Sequence, residues 1–216
     1  MKQFIIILFC LSNNVFGQAS DSLNFNRELS DSIIIMGKLD QTASGLPING
    51  MTWDDFTIYK DSVFHLNYYR IKRIFDSHGY LGFKEIGQSA ETYYWVIIQH
   101  CDFDAIFQSN VLISMKTQVD KSNANSRHYG LLYDRVMINS GKKQLYGTQV
   151  QYNAETGQAY PKPLEDSLNV NLFRERLGFE SLEKYLNRMT ISHYNMNKQS
   201  LNEKGILTPM LYEINE

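Results

Sequence analysis

Cysteine is scarce in this chain. Two among 216 residues cannot build a disulfide framework, so stability has to come from packing. Charge of one sign is lacking too. The formal net charge is -2, which gives no basic footprint for nucleic acid, and no nucleic-acid partner is expected. No apolar run approaches the ~20 residues that a membrane-spanning helix needs. The sequence holds no phosphate-cradling glycine loop, no HExxH, no GxSxG and no CxxC pair, which removes the common signatures of nucleotide, zinc-protease, serine-hydrolase and redox chemistry.

What is present begins with an address. Lys2 precedes an apolar run from Phe4 to Leu11, and Val15-Phe16-Gly17 follows. This pattern predicts a signal peptide over residues 1–17, cut after Gly17, and an exported, periplasmic or extracellular protein. Cys10 offers the alternative of a lipid anchor, which the bulky Phe9 before it disfavours. The cut would leave Cys101 as the single thiol. It follows the apolar run Trp95-Val96-Ile97-Ile98, and burial is expected.

The remaining length suits one domain over residues 18–191 with a C-terminal tail over 192–216. The fold class expected is mainly α: a bundle of about five main helices plus short C-terminal helices, with one β-hairpin packed on it. Phe25, Leu29, Ile33 and Met36 recur at helical spacing and predict a first helix from Leu23 to Leu39. Gln41–Gly50 reads as loop, and Asp61 reads as the N-cap of a second helix with Phe64, Tyr68, Ile71 and Phe75 on its buried stripe. Gly87-Gln88-Ser89 opens a third helix, apolar nearly all round and therefore central. Asp102 reads as the cap of a fourth helix to Thr117, and Tyr129, Leu132, Tyr133 and Val136 mark a fifth. The period then changes. Gln144–Tyr152 alternates as a strand, Asn153–Gly157 turns, and Gln158–Tyr160 returns, placing a hairpin near 144–160. Short helices are expected at Val170–Leu177 and Ser181–Met189.

The densest polar cluster is Gln99-His100-Cys101-Asp102-Phe103-Asp104, with Gln108 four residues on. His100, Asp102 and Asp104 are competent metal ligands, and a divalent ion would make a hydrolytic nucleophile from bound water. They also have bland roles: a helix cap, a dipole partner, a ligand for a free carbonyl. Asp134-Arg135 on the fifth helix offers a guanidinium for a carboxylate or phosphate, or a pair of interhelical salt bridges. Tyr146-Gly147-Thr148-Gln149 places a glycine between polar side chains, either for a ligand's approach or as a bulge. His65, His78, His128 and His193 stand isolated and read as ordinary surface or core residues.

In order, these pieces form a series: Met36…Asp40-Gln41, Gln99-His100-Cys101-Asp102-Phe103-Asp104…Gln108, Leu132-Tyr133-Asp134-Arg135-Val136 and Gln144-Leu145-Tyr146-Gly147-Thr148-Gln149. The series resembles a family of bacterial proteins, often secreted, known only as a domain of unknown function, over roughly Leu23 to Leu186. The resemblance implies membership and no activity.

Two functional readings follow. The first is a cell-envelope binding or interaction module with a polar pocket for a small molecule or an envelope component, with Asp40, Gln41, Gln108, Asp134, Tyr146, Thr148 and Gln149 as ligand-binding candidates. The second is a hydrolase, metal-dependent or not, using His100 with Asp102 or Asp104 and helped by Arg135. Convergence of His100, Asp104, Arg135 and Gln149 on one pocket is the expectation that bears on both.

Overall fold

The computed structural model describes residues 25–48 and 50–214. The expected signal peptide and Cys10 lie outside these residues. Among the described residues, eight helices and one two-stranded antiparallel hairpin follow in the order α1 (Arg27–Ala43), α2 (Trp53–His78), α3 (Phe83–Gln99), α4 (Ala105–Asp120), α5 (Ser126–Asn139), β1 (Val150–Tyr152), β2 (Ala159–Pro161), α6 (Val170–Arg176), α7 (Leu182–Met196) and α8 (Lys198–Glu203). The fold is mainly helical, as the sequence periods predict. No described helix is long and apolar enough to cross a membrane.

The third helix is central. Ala90, Tyr94, Ile97 and Ile98 are buried on it, and α1 packs closely along it. Gly37 makes that approach feasible: a Cβ there would meet the Tyr93 ring at 2.2 Å, so α1 lies against α3 with nothing between. Ile33 and Met36 of α1, Ile71 of α2, Val111 and Met115 of α4, and Leu132 and Val136 of α5 complete this core. Cys101 is buried in it, as expected.

Several expectations are corrected. The second helix starts eight residues before Asp61, because Thr52 accepts the Asp55 N–H as N-cap and Asp55 returns to the Thr52 hydroxyl. The third helix starts earlier, at Phe83, with a break at Gly87. Asp104, not Asp102, caps the fourth helix: a turn closed from the Asp104 N–H to the Cys101 carbonyl puts Asp104 at the cap, where it accepts the Phe107 N–H at 2.9 Å. The segment Gln144–Gln149 is not part of a strand. Its alternation comes from a loop whose backbone is held by side chains, and the ladder begins only at Val150.

The hairpin does not lie across the third and fourth helices. β2 packs on α7, and Ala159, Val170, Leu182 and Leu186 form a second small core there, flanked by Val150, Tyr152 and Tyr212. The polar stretch after Ser192 is still helix, and the segment beyond α8 is tied back. Tyr212 exchanges hydrogen bonds with the Asn187 side chain and donates its hydroxyl to the Ala159 carbonyl.

Candidate functional site

The junction of α3 and α4 gathers most of the polar series. His100 is the residue after α3, and its Nδ1 lies 2.6 Å from Oδ1 of Asp40, sixty positions away on α1. Asp40 is 0% exposed, because its place on the inner face of α1 is the same face that carries Ile33 and Met36. A carboxylate only accepts, so the proton of this bond belongs to His100 Nδ1. The imidazole stacks on Phe64 of α2, with centroids 4.5 Å apart and planes 13° from parallel. Its side chain is 26% exposed, and among the described residues Nε2 has no hydrogen-bond partner. The other oxygen of Asp40, Oδ2, is buried without a hydrogen bond. Gln41 is exposed and only grazes Asp40, at 3.4 Å.

Two residues on, Asp102 binds α5. Its carboxylate accepts from Arg135 Nη1 at 2.6 Å, from Asn139 Nδ2 at 2.9 Å and from Gln108 Nε2 at 3.2 Å. Gln108 is fully buried and also donates to the Ile98 carbonyl, tying the end of α3 to α4. Arg135 keeps Nε buried and unpaired. Asp104 faces elsewhere and accepts the Tyr68 hydroxyl of α2 at 2.5 Å. That bond, with the capping N–H of Phe107, holds the Asp104 carboxyl below the usual carboxylate range, and it pushes the Tyr68 phenol up to about 12.

Asp134 and the glycine-bearing loop form a separate centre. Asp134 is buried and accepts three backbone N–H groups: Leu145 and Tyr146 on Oδ1, and Thr148 on Oδ2, at 2.8 to 3.0 Å. Burial pushes its carboxyl up, and these three donors pull the other way. Gln144 clamps the same loop through the Gln149 N–H and carbonyl and the Lys162 carbonyl. Gly147 sits at φ +68°, and a Cβ there would meet Leu182 at 2.8 Å. The close approach that the glycine permits is therefore to α7. The Gln149 side chain reaches only the Thr148 hydroxyl, at 3.5 Å.

The structure thus joins Asp40 to His100, and Asp102 to Gln108 and Arg135. It gives Asp104, Asp134 and Gln149 other partners, and Tyr146 packs between the Tyr133 and Phe179 rings. The three metal candidates, His100, Asp102 and Asp104, each face a different partner. Among the described residues no three His, Cys, Asp or Glu side chains are grouped to hold a metal ion.

One pairing escaped the sequence. His128 lies near a buried carboxylate as His100 does, but more loosely: its Nδ1 is 3.4 Å from Glu91 of α3 without a hydrogen bond, and its ring stacks on Trp95 at 4.1 Å. Tyr80 donates to Glu91. A buried glutamate inside an apolar helix was the available signal, since such a group requires a partner.

Fold and site together define a mainly helical protein whose segments are joined by buried or half-buried carboxylates. The chain belongs to a family of unknown function, DUF6624, whose model matches residues 28–198. No curated protein and no solved structure matches it.

Proposed function

We propose that this protein is an exported ligand-binding module of the cell envelope, and that the α3–α4 junction is its site for a small polar molecule. The observation that carries this reading is the Asp40–His100 contact at 2.6 Å. A buried carboxylate fixes one imidazole nitrogen and leaves the other, part-exposed and without a partner among the described residues, to meet a ligand. Arg135, held at Nη1 by Asp102, supplies a guanidinium from a neighbouring segment. Export is supported by the Lys2, apolar run and Gly17 pattern at the start of the chain.

A hydrolytic reading draws on the same contact. An imidazole oriented by a carboxylate can take a proton from water at Nε2, so that hydroxide attacks a substrate whose anionic group Arg135 holds. Binding is the broader reading, because among the described residues the junction supplies an oriented imidazole without a nucleophilic side chain bonded to it.

Function and architecture are separated by replacing the pair together. His100→Leu alone strands Asp40 and costs several kcal/mol under either reading, about 3–5 by the usual penalty for breaking a buried pair. The double variant Asp40→Ala, His100→Leu removes both partners of the contact. If the pair serves a ligand, the double variant should unfold in urea within about 1 kcal/mol of the parent, since apolar replacement of a buried pair is often neutral or stabilising. A loss as large as that of the single variant would make the pair an architectural element and sink the proposal.

A further inference from the structure

A cavity of about 520 Å³ opens between α5, the α6–α7 connection and α7, away from the junction described above. Its volume suits a small organic ligand. Cations dominate its wall: Arg127, Arg174 and Arg188 line it, and Glu180 is the one carboxylate among the lining residues. Arg188 is spoken for, bonded to Glu180 through Nε and Nη2 at 3.0 and 2.8 Å. Arg127 has no carboxylate within ion-pair distance among the described residues, and its guanidinium lies across Gly178 in the cavity wall.

Arg174 is the unusual member. It is 1% exposed, yet among the described residues no carboxylate lies within ion-pair distance of it. Two backbone carbonyls hold it, Glu180 at Nε and Tyr146 at Nη1, and the Phe179 and Tyr185 rings lie 5.3 and 5.0 Å from its guanidinium carbon. Nη2 is buried with no hydrogen bond. Asp134, a buried carboxylate whose charge acts on Arg174, is already committed to three backbone donors of the 145–148 loop. Glu180, Asp134 and Glu183 act on Arg174 only through space, and a guanidinium buried with an idle donor and no directly paired carboxylate is an expensive arrangement. An anion in the cavity would supply both the acceptor and the charge.

We propose that this cavity binds a small organic anion, a carboxylate or phosphate on a flat apolar body. The head would sit between the idle Nη2 of Arg174 and the guanidinium of Arg127, which can grip it in planar two-pronged fashion. The body would lie along Leu131, Phe179 and Tyr185. His128, stacked on Trp95, lines one side.

The test uses the full mature chain with phenyl phosphate and benzoate as probes, and benzyl alcohol and benzylamine as neutral and cationic controls of similar shape. Phenyl phosphate or benzoate should raise the melting temperature with concentration, because a ligand bound only by the folded state stabilises it. The controls should do so at least tenfold more weakly by calorimetric titration. Arg127→Ala should keep the parent's unliganded melting temperature and lose about tenfold or more in affinity, the effect of removing one charge-assisted contact. Arg174 is too embedded for its variants to be decisive, so Arg127 carries the test. Failure of both anions to bind, equal binding of benzyl alcohol, or undiminished affinity in Arg127→Ala would each overturn the proposal.

Discussion

Asp134→Ala should be among the most damaging single substitutions in this protein, although the residue lies in no catalytic motif. Its carboxylate is 0% exposed and accepts the N–H groups of Leu145, Tyr146 and Thr148 at 2.9, 3.0 and 2.8 Å. Alanine leaves three buried donors without an acceptor, and each stranded donor costs about 1–3 kcal/mol. The loop can relax and admit water, which brings the expected total down from the full sum to about 3–5 kcal/mol. Asp134→Asn keeps Oδ1 for Leu145 and Tyr146 but can turn an amide donor towards Thr148, so about 2 kcal/mol is expected. The assay is equilibrium unfolding in urea, with the slope checked for two-state behaviour. Burial raises the Asp134 carboxyl above its ordinary 3.8. The folded state therefore holds this proton more readily than the unfolded chain, and the group's contribution is full below 3.8 and declines as pH rises through the raised value. Mild acid should not unlatch the loop. A loss below 1 kcal/mol in Asp134→Ala would refute the reasoning, because it would mean that the 145–148 backbone finds other acceptors.

Two further outcomes are expected. Cys101 is 1% exposed, donates to the Ile97 carbonyl, and has its thiol pushed up by burial, so thiol reagents should label the native protein slowly and the unfolded chain rapidly; fast native labelling would contradict that. The Tyr68–Asp104 bond should contribute about 1 kcal/mol, part-exposed as it is. Asp104 is depressed and Tyr68 is raised, so this contribution should fade as pH falls through the depressed Asp104 value and again as pH rises from 10 towards about 12. Tyr68→Phe should flatten both limbs of the stability profile, and an unchanged profile would show that the bond carries no stability.

Helices were legible because their signal is local. The stripe through Ile33 and Met36 and the all-apolar Tyr94–Ile98 segment are readable from spacing alone; Ile33, Met36, Tyr94, Ile97 and Ile98 are buried as expected, while Trp95 and Val96 are half-buried. Local signals failed where two residues competed for one role. Asp102 and Asp104 are equally good caps by type, and only the turn onto the Cys101 carbonyl decides for Asp104. The start of α2 is also written locally, since Thr52 and Asp55 stand at capping-box spacing. Gln144–Gln149 imitates a strand because Gln144 and Gln149 alternate with apolar residues, whereas their polar groups serve a loop clamp.

The junction was half legible. The resemblance grouped Asp40 with the Gln99–Gln108 segment and with Arg135, and the contacts Asp40–His100 and Asp102–Arg135 join those same segments. Which carboxylate meets which base is a matter of helix rotation and crossing, and sixty residues of chain hold no record of it. The Arg174 cavity was invisible for the same reason: its wall draws on α5, the 174–180 stretch and α7, and no two of its arginines form a motif.

The central claim is that Asp40 fixes His100 so that Nε2 is left for a ligand. The most direct measurement is the long-range proton–nitrogen NMR spectrum of the His100 imidazole, in the parent and in Asp40→Asn, at a pH where the ring is neutral. A neutral ring bonded to a carboxylate through Nδ1 must carry its proton there. The parent should therefore show Nδ1 protonated and Nε2 bare, and Asp40→Asn should shift the population towards the Nε2-protonated tautomer. A parent spectrum with Nε2 protonated, unchanged by Asp40→Asn, would contradict the account.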